Sequence, residues 1–249
     1  MAGHSHWANI AHKKALIDKK RGKLWSKLSK AIIVAAKMGG GDVDTNIRLR
    51  YAIDAAKAVS VPKDNIERAI KRGSGELDSD NYEEILYEGY GPAGVAVLCE
   101  ILTDNRNRTA GEIRKIFELA DGKLGATGCV SWMFERKGLF LVPADKVDED
   151  ALLEFALEAG ADDVKRVDDK FEITCDVSLF GDLGAALEAK SIVPDVREIA
   201  RIPTSTVDLD TPSARKVLAL MERLDDHDDV QSVSANFNIP DEALAALKE

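Results

Sequence analysis

Apolar residues recur at three- and four-residue spacing through Leu24, Leu28, Ala31, Ile32 and Ala35, which puts them on one face of a helix over 22–38. Lys23, Lys27 and Lys30 fall mostly on another face. Gly39-Gly40-Gly41 stops this helix. Asp44 or Thr45 is placed to cap a second one, with Leu49, Ile53 and Ala56 inside. Pro62 opens a third through Ile66, Ala69 and Ile70, and Gly73 closes it. The pattern predicts a small helical bundle. The glycine-rich, acidic stretch from Gly73 to Asp80 then reads as a linker.

Beyond it the period changes. Val95 to Leu102 is a buried-strand run, and Thr109-x-x-Glu112 reads as a capping box ahead of a helix with Ile113, Ile116 and Phe117 on one face. Strands are expected over Val130–Phe134 and, after Gly138, over Leu139–Val142. Asp148 caps a helix through Leu152, Phe155 and Ala159. Strands follow near Val164 and at Phe171-x-Ile173-x-Cys175, then a helix around Leu183 and Leu187, then an extended stretch from Val196 to Ile202. Thr211-Pro212 starts a last long helix, and a final strand alternates through Val233, Ala235, Phe237 and Ile239.

From Leu139 to Ile202 the order is strand-helix-strand-strand-helix-strand, a ferredoxin-like unit. Flanking pieces suggest a second unit split by the first. The expected class is α+β in three domains. A basic helical domain spans 1–75, a discontinuous ferredoxin-like domain spans 80–135 and 204–249, and a second such unit is inserted at 136–203.

Charge sharpens this picture. Residues 1–75 hold sixteen Lys or Arg against six Asp or Glu, a net of +10, which leaves −20 for the rest of a chain totalling −10. Such asymmetry marks a nucleic-acid or acidic partner for the basic third. Within it, Lys13, Lys14, Lys19, Lys20, Arg21, Lys23, Lys27 and Lys30 are interleaved with His4, His6, Trp7, Asn9 and His12. Cations neutralise phosphates and flat side chains stack on bases, so these residues are the candidate nucleic-acid contacts. A solvated helix face with Trp7 and Trp25 covering the core is the plainer alternative.

Other candidate chemistry is sparse. Gly39, Gly40 and Gly41 form a candidate phosphate loop, or simply a helix-to-helix turn. Arg106 and Arg108, in the polar turn Asp104–Thr109, are candidate contacts to a partner. His4-x-His6 with His12 has metal-ligand spacing, and Ala2-Gly3-His4 would chelate copper or nickel if Met1 were removed, but no structural site is completed nearby and no metal is expected. Asp225-Asp226-His227-Asp228-Asp229 gathers acids at a helix C-terminus, where the dipole disfavours them, and reads as a solvated turn or a surface for a basic partner. Cys99, Cys129 and Cys175 have no CxxC spacing; Cys99 and Cys175 are expected as small buried hydrophobes. No catalytic constellation, cofactor motif, small-molecule substrate, membrane span or targeting segment is expected, which predicts a non-enzymatic cytoplasmic protein.

Several longer strings occur in order: Met1-Ala2-Gly3-His4-Ser5-His6-Trp7-Ala8-Asn9-Ile10, Pro62-Lys63-Asp64-Asn65-Ile66-Glu67-Arg68-Ala69-Ile70, Tyr87-Glu88-Gly89-Tyr90-Gly91-Pro92, Leu102-Thr103-Asp104-Asn105-Arg106-Asn107-Arg108-Thr109 and Ser131-Trp132-Met133-Phe134-Glu135. In these the chain resembles the YebC family, which includes the mitochondrial translational activator of cytochrome c oxidase. The resemblance runs nearly end to end. It implies a helical first domain, two mixed α/β domains and a regulatory role. Bacterial members carry the label of transcriptional regulators that bind DNA; others resemble translation factors that associate with the ribosome, bind ribosomal RNA and relieve stalled translation. Val43 and Ile47 depart from the pattern, since many members carry proline there, and the small Ser232, Ser234 and Ala235 depart from it in the last strand.

Overall fold

The computed structural model describes residues 21–78 and 81–248. These fall into two compact units, one built from the described residues from Arg21 to Val130 together with Pro212–Val233, the other from Ser131–Thr211 and the described residues from Ser234 onward.

In the first unit, α1 (Arg21–Gly39), α2 (Ile47–Ala58) and α3 (Lys63–Gly73) pack around Ile32, Ala35, Leu49, Ile53, Ala56 and Ile66. Trp25 belongs to this core and donates its indole N–H to the Val59 carbonyl at 3.2 Å. The cap of α2 is Asn46, not Asp44 or Thr45. Its Oδ1 accepts the Leu49 amide at 3.0 Å while Nδ2 donates to the Ala35 and Gly40 carbonyls, each at 2.8 Å. The site is buried and needs an acceptor and two donors at once, which only a carboxamide supplies. Gly73 ends α3, as expected. A Cβ there would come within 2.4 Å of the Ile33 carbonyl oxygen, so this glycine lets α1 and α3 approach.

The sheet of this unit has the order β3-β1-β2-β9, from β1 (Glu83–Tyr90), β2 (Ala96–Thr103), β3 (Lys123–Leu124) and β9 (Val230–Ala235). Strand β1 pairs antiparallel with both β2 and β3, so β2 and β3 run parallel with a strand between them. This is the split βαβ of a ferredoxin-like sheet, with α4 (Arg106–Leu119) as the crossover and the central strand supplied by a hairpin from upstream. Alternation did not single out β1, whose glutamates occupy Glu83, Glu84 and Glu88. The last of these is buried, its carboxylate accepting the Gly128 and Val130 amides at 2.6 and 2.9 Å.

In the second unit, β4 (Phe134–Pro143), α5 (Glu149–Glu158), β5 (Ala161–Val167), β6 (Lys170–Cys175), α6 (Phe180–Ala189) and β7 (Val196–Pro203) give an antiparallel sheet of order β5-β6-β4-β7. That is the ferredoxin-like arrangement expected from the strand-helix order. The two strands expected around Gly138 are one continuous strand, preceded by a 3-10 turn at Ser131–Met133. Gly138 breaks nothing: a Cβ there would lie 2.6 Å from the Cys175 sulfur and 2.7 Å from the Phe180 ring, so it makes room for α6. The final expected strand is also divided. After β9 the chain turns at Asn236, and β10 (Phe237–Asn238) pairs parallel with β8 (Val207–Asp208), followed by α8 (Asp241–Lys248). Cys99 and Cys175 are buried free thiols, and burial pushes the Cys175 thiol up to about 11. No helix among the described residues is long and apolar enough to cross a membrane.

Candidate nucleic-acid interface

Lys23, Lys27 and Lys30 recur along α1 at four- and three-residue spacing and so project from one face. In the structure that face meets the end of α7 (Thr211–Asp225) and the acidic turn after it. Lys23 Nζ donates to the Asp226 carbonyl at 2.9 Å and lies 3.4 Å from the Asp228 carboxylate. Lys27 donates to the Asp225 carbonyl, with the Asp225 carboxylate at 3.7 Å. Lys30 reaches the Asp228 carbonyl at 3.1 Å and Asp229 Oδ1 at 2.8 Å. A helix C-terminus presents carbonyls without intrahelical donors and a negative dipole end, which repels acidic side chains. The three ammonium groups answer both, and so explain how an Asp-rich turn is stable there.

The turn is anchored on its other side by Asp229. Oδ2 accepts from the Arg108 guanidinium at 2.6 Å, the Thr109 hydroxyl at 2.8 Å and the Thr103 hydroxyl at 3.1 Å. Burial alone would raise this carboxyl. The hydrogen bonds from Lys30, Arg108 and Thr109 outweigh burial and hold it well below the usual carboxylate range. His227 Nδ1 accepts the Asp229 amide at 3.1 Å, which leaves the proton on Nε2, 2.9 Å from Glu112 Oε2. The expected capping box is therefore not formed. Asn105 caps α4 by accepting the Arg108 amide at 3.1 Å, Thr109 is turned inward to Asp229, and Glu112 faces His227. An open cleft of about 660 Å³ runs beside this network, with Lys23, Tyr82, Arg108, Lys115 and His227 in its walls.

The other sequence-derived candidates separate as follows. His4, His6, Trp7, Asn9, His12, Lys13, Lys14, Lys19 and Lys20 lie outside the described residues, and Arg21 opens α1. Gly39 and Gly40 border the Asn46 carboxamide: a Cβ at Gly39 would lie 2.6 Å from its nitrogen, and Gly40, with φ +85°, accepts from it; a Cβ at Gly41 would instead meet Ile70 and Ser74. Their packing therefore has a local cause in the turn itself. Arg108 is engaged by Asp229 and Asp104, whereas the Arg106 side chain is exposed and forms no ion pair among the described residues. Sequence reasoning passed over four further cations. Lys57 on α2 and Arg68, Lys71 and Arg72 on α3 are exposed, with no side-chain ion pair or hydrogen bond among the described residues. The signal was available, because on α3 the apolar Ile66, Ala69 and Ile70 leave these positions on the opposite face. No group of three or more His, Cys, Asp or Glu among the described residues is arranged to hold a metal ion.

Comparison with known proteins fits this architecture. Residues 5–76 match the model of the TACO1/YebC protein N-terminal domain, and residues 82–237 match that of the TACO1/YebC second and third domain. A protein of Rhodopirellula baltica named "Probable transcriptional regulatory protein" is 60% identical over 246 residues, covering 98% of this chain and all of that one. A Geobacter sulfurreducens protein of the same name is 54% identical over 99% of this chain and all of its own. The crystal structure of a conserved hypothetical protein from Aquifex aeolicus is 48% identical and superposes with a TM-score of 0.86, covering 95% of this chain and 98% of that one. With helical, split-sheet and inserted-sheet segments all matched in order, the chain belongs to the TACO1/YebC family.

Proposed function

We propose that this protein is a non-enzymatic regulator of gene expression that binds nucleic acid through its basic N-terminal third, acting on DNA as a transcriptional regulator in the cytoplasm. The observation that carries the reading is the charge division, +10 over residues 1–75 against −20 over the remainder. A polyanion is attracted to one end of such a chain and repelled by the rest, so binding is oriented. The names of the close relatives support the regulatory role. The exposed Lys57, Arg68, Lys71 and Arg72 extend the cationic surface beyond the first thirty residues. We also propose the three-part organisation 1–75, 80–135 with 204–249, and 136–203.

Lysine and arginine on a helix surface contact phosphates and carry no base information by themselves. The same surface therefore suits ribosomal RNA, and a ribosome-associated translation factor is the second reading. Crosslinking in living cells followed by sequencing of the attached DNA and RNA separates the two. Enrichment of promoter DNA supports the transcriptional reading, enrichment of ribosomal RNA supports the translational one, and recovery of neither overturns both.

A further inference from the structure

We propose that the Asp225–Asp229 turn is an internal competitor for polyanions, holding Lys23, Lys27 and Lys30 in a closed latch that a polynucleotide backbone opens. The inference rests on the proposed function and adds a regulation to it. Three cations at four- and three-residue spacing all meet a five-residue acidic stretch, so one α1 face is saturated by carboxylates and carbonyls in the way that phosphates would saturate it. The two sides of the contact are built differently. The acidic turn keeps a second anchor when the lysines leave, because Asp229 Oδ2 still holds Arg108, Thr103 and Thr109, and Leu102 still donates its amide to the Asp229 carbonyl at 2.8 Å. The turn is thus preorganised without α1. The pairs are also graded: Lys23 and Asp228 are largely exposed, whereas Lys27 and Lys30 are mostly covered. Exposed pairs are weak and screened by salt, so opening can start at Lys23 and proceed inward.

The test uses the full chain carrying D225N, D226N and D228N, with Asp229 kept as the anchor. Removing acids from a helix C-terminus relieves the dipole, so the variant keeps its fold. Binding to a labelled duplex and to a labelled single-stranded RNA is titrated over a range of salt. The latch predicts affinity tighter by several-fold at low salt, and a log–log salt slope more negative by about 1 to 2 as Lys23 and Lys27 are freed while Lys30 stays on Asp229. It also predicts that, in the wild-type chain, amide hydrogen exchange over residues 226–230 accelerates when polynucleotide is added. A wild type that binds with a steep slope, beside a variant of equal affinity and slope and turn amides that do not respond, overturns the latch while leaving the proposed function standing. A wild type that binds no polynucleotide removes both.

Discussion

Two buried carboxylates, one in each unit, show how differently the same group can be housed. Asp229 sits at the end of the acidic turn with four side-chain donors converging on it, from Lys30, Arg108, Thr103 and Thr109. Glu172 sits on β6 opposite Lys165, and its Oε2 is buried with no hydrogen-bond partner. Burial pushes both carboxyls upward, but only Asp229 is overruled by donors. Its carboxyl is held low, while that of Glu172 is raised to about 7. The lesson is that donor supply, rather than depth, decides whether a buried acid is a fixed charge or a titrating one.

The largest effect is expected at Asp229. Replacing Asp229 with Ala leaves a guanidinium, an ammonium and two hydroxyls facing a void, and should lower unfolding free energy by about 3 kcal/mol or more in a denaturant titration. The wild type should lose stability as pH falls below the ordinary aspartate value of 3.8, because the unfolded chain takes up a proton that the native carboxylate refuses. Glu172 gives the opposite sign. The native state keeps a proton that the unfolded chain has released, so stability falls as pH rises from about 4.5 to about 7. Glu172→Met should therefore gain about 1 to 3 kcal/mol at pH 8 and nothing below pH 4, measured by unfolding at the two pH values. The smallest effect belongs to Lys23→Ala, which removes an exposed pair and should cost about 0.5 kcal/mol or less in the same assay.

Much of the fold was legible because period and punctuation agreed. The apolar spacing from Leu24 to Ala35, the proline at Pro62 and the β-α-β-β-α-β order after Leu139 each translate into observed elements. The failures share a cause, which is that one residue type serves two purposes. Gly138 reads as a break but is a site of close packing inside a continuous strand. Thr109 reads as a cap but turns inward to a carboxylate 120 residues away. Strand β1 hid behind its glutamates, one of which is buried on backbone amides. The candidate site was legible only in halves. The lysine face and the acidic run were each visible, but their pairing spans roughly 200 positions and depends on the tertiary fold. The cations of α3 lie outside the densest run of charge and are marked only by the helical period of Ile66, Ala69 and Ile70.

Phosphate contact by the basic N-terminal third underlies the proposed function. Its most direct test is the salt dependence of polynucleotide binding by the wild-type chain beside R68A/K71A/R72A, whose three side chains are exposed and unpaired among the described residues. With about six phosphates neutralised, log affinity should fall against log salt with a slope near −5 on duplex DNA, and the variant should bind more weakly with a slope shallower by up to about 3. A flat salt dependence, or a variant indistinguishable from wild type in both affinity and slope, would contradict it.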